Sequence, residues 1–139
     1  MEQRIGLVTL GVADLARARA FYADGLGWRP AFENDEVVFF QMTGCAFGLF
    51  GRRALEEDMR RACPGTGAFS IAHNVAERGE VDEVMATAKA AGATILKEPE
   101  EMFWGGYSGY FADPDGHAWE VAWNPGWRID DNGIVRVAD

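Results

Sequence analysis

The sequence predicts an α+β protein built from two βαβββ modules, and three observations carry that prediction. A strand-like alternation followed by an apolar stripe at helical spacing occurs near residue 4 and again near residue 68. Pro64-Gly65-Thr66-Gly67, the clearest linker signal in the chain, separates the two occurrences. Near the end, Asp113-Pro114-Asp115-Gly116 lies between two runs rich in aromatic and β-branched residues, which reads as an antiparallel hairpin. Each half then runs strand, helix, three strands, a repeat of arrangement rather than of sequence. The halves are expected at 1–62 and 68–124, joined by a linker at 63–67, with a tail at 125–139.

Arg4–Val12 alternates as a strand, with Val8, Leu10 and Val12 on one face. Asp14 is a suitable N-cap for a helix over Leu15–Gly25, whose stripe is Leu15, Ala18, Phe21 and Tyr22. Aromatic residues on such a stripe belong to a core. Trp28–Glu33, Glu36–Met42 and Cys45–Gly51 follow as strands, divided by Asn34-Asp35 and Thr43-Gly44. Arg52–Ala62 is a charged connector, helical or irregular, with a solvated face. The second half opens with a strand at Ala68–Val75 and a helix at Val81–Gly92. A short strand at Thr94–Lys97 leads to a loop at Glu98–Glu101, and the hairpin pairs Tyr107–Ala112 with His117–Trp123. In the tail, Asn132-Gly133 predicts a small final hairpin.

Composition narrows the function. A hydrophobic fraction of 48% over 139 residues is ample for a globular core, and no apolar run is long enough to span a bilayer. The net charge of −9, without a Lys/Arg stripe, argues against nucleic acid. The start of the chain lacks the pattern of a secretory leader, and two isolated cysteines form neither a disulfide framework nor a CxxC motif. The expected location is cytoplasmic.

On the last strand Ala118, Glu120 and Ala122 share one face. A carboxylate between two alanines on so apolar a strand either faces water or has a partner, because buried charge is costly alone. Trp104 and Tyr107 lie beside glycines in a loop, where a large ring has less reason to belong to a core.

The order of Leu7–Val12 with Ala13-Asp14-Leu15, Phe21-Tyr22, Leu26-Gly27, and Gly106–Trp123 with its Asp-Pro-Asp-Gly and Trp119-Glu120 resembles the vicinal oxygen chelate superfamily of glyoxalases, bleomycin-resistance proteins and extradiol dioxygenases. The resemblance covers residues 4–124. It implies curved mixed sheets around a shared cleft, a homodimer, and in many members a divalent metal held at four strand positions. Those positions fall here on Leu7, on the run Cys45–Gly51 without Asp, Glu or His, on Ser70, and on Glu120. Only the glutamate is kept, and one carboxylate is not a metal site. His73 is a second candidate ligand only if a bulge turns it inward, since alternation places it with Phe69 and Ile71 on the helix side. His117, beside the turn, reads as a surface residue.

Two functions compete, beside a third reading as a structural or regulatory member whose cleft is filled by its own side chains. The first is a small-molecule binder of the bleomycin-resistance type, without metal or other cofactor. Its ligand, planar or cationic, would lie among Trp104, Tyr107, Tyr110, Phe111, Glu120, Leu7 and Ser70. The second is an enzyme: a metal-dependent lyase, isomerase or dioxygenase, or a cofactor-independent one with Glu120 as general base. The predicted cleft positions offer that base no Arg, Lys or His as electrophilic partner.

Overall fold

A computed structural model of the chain describes residue 3, residues 6–67 and residues 69–137, and divides it into two units, Met1–Gly67 and Ala68–Asp139. The expected strand starts at Arg4 and Ala68 lie outside the described residues.

In the first unit, β1 (Leu7–Val12) runs parallel to β4 (Ala46–Gly51), and β3 (Val37–Gln41) and β2 (Pro30–Glu33) follow antiparallel, in the order β1-β4-β3-β2. Asp14 caps α1 (Leu15–Arg19) by accepting the Arg17 N–H at 2.9 Å. The chain then widens into a π-helical turn, Ala20–Gly25, with the Leu26 N–H reaching back to the Phe21 carbonyl. The aromatic pair of that turn belongs to the core, as its spacing predicts: Phe21 is 3% exposed and Tyr22 wholly buried. Tyr22 lies 5.2 Å from the Phe47 ring and 5.3 Å from Trp28, and Leu10, Val12, Val38 and Leu49 complete this interior. On the other face of the sheet Phe32 stacks on Phe39, whose ring covers Gly48 so closely that a Cβ there would stand 2.9 Å from it. The charged connector is helical, α2 (Arg52–Met59), and tucks Leu55 against Gly11.

The second unit repeats the plan. β5 (Ile71–Asn74) is parallel to β8 (Ala118–Trp123), and β7 (Tyr107–Ala112) and β6 (Thr94–Glu101) continue antiparallel, in the order β5-β8-β7-β6. The β7–β8 turn is fastened by Asp113, whose Oδ1 accepts both the Asp115 and His117 N–H groups at 2.9 Å. Gly116 takes the positive φ of +90° that closes it. Helix α3 (Arg78–Ala90) begins three residues before the expected Val81, because Glu77 and Glu80 form a capping box that a search for Ser, Thr, Asp or Asn passes over. α3 covers the face of the sheet that carries Phe111, Trp119 and Val121, all buried. A small hairpin, β9 (Arg128–Ile129) with β10 (Val135–Arg136), ends the described chain.

Two expectations are corrected. The loop expected at Glu98–Glu101 is strand: β6 runs unbroken through Pro99, which the end position of the sheet and two register shifts accommodate. His117 is not a surface residue but 5% exposed. Among the described residues no helix is long and apolar enough to cross a membrane.

Candidate functional site

The face of the second sheet turned away from α3 brings Lys97, Tyr110 and Glu120 together. Register fixes its central row. Lys97 of β6 stands opposite Tyr110 of β7, Tyr110 opposite Glu120 of β8, and Glu120 opposite Ala72 of β5. Tyr110, Glu120 and Lys97 are each half-buried, and Ser70, just before β5, is exposed. The Tyr110 phenol feels all three neighbours. Burial raises its pKa first, the negative charge of Glu120 and a hydrogen bond to that carboxylate raise it further, and a hydrogen-bonding contribution from Ser70 and the Lys97 charge oppose. Tyr110 is therefore a neutral hydroxyl across the physiological range, able to donate.

Glu120 has no salt bridge among the described residues, and its strand neighbours Ala118 and Ala122 offer it no polar atom. Among the described residues Lys97 is held by the Met102 sulfur at 3.1 Å and by Glu100, 64% exposed, at 3.2 Å. Ser108, one pair of residues along β7 on the same face, is wholly buried with its Oγ unpaired among the described residues. The Trp104 indole folds over Gly106, four residues before Tyr110 in the chain, where a Cβ would fall inside the ring, and remains 37% exposed. Beside it Phe103, at the turn, is almost fully exposed.

Two expected site residues face α3 instead, and a third belongs to the first unit. Phe111 is 3% exposed and stacks on Trp119 at 6.2 Å, on the α3 side of the sheet, so it is core. Tyr107 is also committed to that side: its hydroxyl donates to Asp82 at 3.0 Å and the Arg78 guanidinium lies 3.9 Å over its ring. Alternation explains both, since odd-numbered β7 residues face the helix. Leu7, 46% exposed, lies in the first unit beside Ala46. His73 pairs with Val121 on the α3 side, where surrounding protein lowers its pKa and Glu80 partly compensates.

Lys97 is the residue that sequence reasoning missed. Read as the end of a short strand before a loop, it had no assigned face. The register shifts on either side of it turn it toward Tyr110, and neither shift has a glycine signature. In the first unit a recess is lined by Ala13, Glu36, Gly51, Arg52 and Glu56.

A profile of the glyoxalase/bleomycin resistance protein/dioxygenase superfamily matches residues 4–121. The chain belongs to this superfamily. A glyoxalase-related enzyme from Fulvimarina pelagi is 39% identical, with a TM-score of 0.94 over 99% of this chain and 100% of that one. The metallothiol transferase FosB of Staphylococcus saprophyticus is 28% identical over 87% of this chain and 77% of its own length. A lactoylglutathione lyase from Agrobacterium tumefaciens, 24% identical, shares the fold with a TM-score of 0.72 over 89% of this chain and 96% of its own.

Members of the superfamily often use a divalent metal, and the donor set here tests whether these residues suit one. A transition-metal site needs roughly three or four N, O or S donors. Glu120 has alanine beside it on its own strand and on β5, and the cation of Lys97 acts on the same phenol. No three His, Cys, Asp or Glu residues converge among the described residues. These residues do not fit a divalent cation.

Proposed function

We propose that this superfamily member binds a small organic molecule, without a metal, on the Tyr110–Glu120 face of its second sheet. One observation carries the reading: Glu120 is a half-buried carboxylate with no salt bridge among the described residues, beside a phenol that stays protonated. Such a carboxylate is complementary to a cationic or hydrogen-bond-donating group, and charge-assisted bonds of that kind are the strong ones. Trp104 supplies a partly exposed ring on which the flat part of a ligand can stack. The ligand class is therefore a planar molecule bearing a cation, for which benzamidine is a minimal probe. Saturable quenching of tryptophan fluorescence by benzamidine is expected. Trp104→Phe should abolish most of the signal, and Glu120→Gln should weaken binding about tenfold or more, about 1.4 kcal/mol. Binding unaffected by Glu120→Gln overturns the assignment of this face.

A second reading is a metal-dependent enzyme, and the likeness to a metallothiol transferase favours it. Against it stands the donor set around Glu120, which supplies one carboxylate where three or four ligands are needed. A metal-free enzyme with Glu120 as general base is better served than the sequence suggested, since Lys97 and Tyr110 both stand in its row as hydrogen-bond donors.

A further inference from the structure

Lys97 adds a second, opposite charge to the row, and its present partners do not use it up. A thioether is a weak acceptor, and Glu100 is a solvent-exposed side chain three residues away whose ion pair is screened by water. The ammonium is therefore available to an incoming anion. Its place is fixed by the sheet: the register shifts around it set its Cα opposite Tyr110, itself opposite Glu120. Adjacent strands lie about 4.8 Å apart, so the two charged residues stand about 10 Å apart at their Cα atoms, with the phenol between them. Residues directly opposite one another on neighbouring strands share a face, so both charges stand on the same side of the sheet as Tyr110.

We propose that Lys97, Tyr110 and Glu120 form a bipolar site for a flat molecule with a cationic group at one end, against Glu120, and an anionic group, such as a carboxylate, at the other, against Lys97. This rests on the reading of the face as a ligand site and adds the class of ligand to it. Lys97 is the specificity-determining residue. A ligand with the cation alone leaves the ammonium on Glu100, whereas a ligand with both ends satisfies the two charges together. Tyr110, midway, donates its hydroxyl to the Glu120 carboxylate and so holds that charge in place for the cation.

Three probes of the same shape separate these contributions: 4-amidinobenzoate, with both charges, benzamidine, with the cation, and benzoate, with the anion. Binding is followed by the shifts of backbone amides in NMR titrations of the full chain, which also report whether each variant is folded. 4-Amidinobenzoate is expected to bind about tenfold or more tightly than benzamidine, with benzoate weakest. Lys97→Met should bring 4-amidinobenzoate down to the affinity of benzamidine while leaving benzamidine itself unchanged. Glu120→Gln should weaken both amidines. Equal affinity of the two amidines for the native chain, or a preference that survives in Lys97→Met, overturns the bipolar site and leaves the cation site standing. Shifts that map away from β6, β7 and β8, or no binding of either amidine at millimolar concentration, overturn both.

Discussion

Glu120 and His73 show how little a residue type says until its face is known. Both are titratable residues on neighbouring parallel strands, one residue out of step: Glu120 pairs with Ala72 and His73 with Val121. That single step puts the carboxylate on the polar face and the imidazole on the side of α3. The consequence for His73 is measurable. Its pKa lies below the ordinary 6.5, chiefly because neighbouring protein strips part of the water from a ring that still keeps an exposed edge. Below that value the unfolded chain binds the proton more readily than the native one, so native stability falls as the pH drops from about 6.5 through the folded pKa. Replacing the ring removes that term. Denaturant midpoints compared at about pH 7.5 and about pH 5 should fall less in His73→Gln than in the native chain. An identical fall in both would mean that the imidazole is as well solvated folded as unfolded.

At the scale of elements, β6 departs furthest from its sequence signal. Glu98-Pro99-Glu100-Glu101 has the composition of a loop, yet it completes an eight-residue strand. Proline cannot donate to a ladder, but at the end of a sheet one side of the strand needs no donor. What holds the strand in place is packing. At Gly109 a Cβ would stand 3.0 Å from the Lys97 carbonyl and 3.1 Å from both Met85 and Pro99. Here strand, bulge and helix meet with no room for a methyl group. Gly109→Ala is expected to cost about 1–3 kcal/mol, read from urea unfolding. Because it disturbs the stretch that sets Lys97 opposite Tyr110, it should also weaken 4-amidinobenzoate more than benzamidine. By contrast the β7–β8 hairpin was legible residue by residue, because its turn chemistry is local: Asp113 and Gly116 act within four residues of each other.

At the scale of the whole chain, the strands and helices of both units follow from the repeated pattern of alternation and helical stripe, which is why the fold class could be read from the residues, whereas the strand order is set by long-range pairing. The site could be read only in part. Glu120 announced itself as a charge in an apolar strand, and Ser70 and Tyr110 stand with it. Tyr107 and Phe111 were misplaced because aromatic residues are equally at home in a core and in a pocket, and only the helix packed on β7 decides between them. Lys97 depended on a long-range register that no local signal records. The donor set makes one further expectation definite for the intact protein. After incubation with Zn²⁺, Ni²⁺, Mn²⁺ or Fe²⁺ and desalting, elemental analysis should find no more metal in the native chain than in Glu120→Ala. Near-stoichiometric metal that the substitution removes would put the metal-dependent enzyme first.

The irregularity of β6 also bears on how the protein behaves in a crowded solution. The outermost strand of a sheet exposes backbone groups that can recruit a strand from another molecule, the first step toward fibrous aggregates. β6 carries a proline in its middle and two breaks in its pairing rhythm. An intruding strand would meet a missing donor and a twisted ladder. Straightening this strand to gain local stability would therefore put colloidal stability at risk.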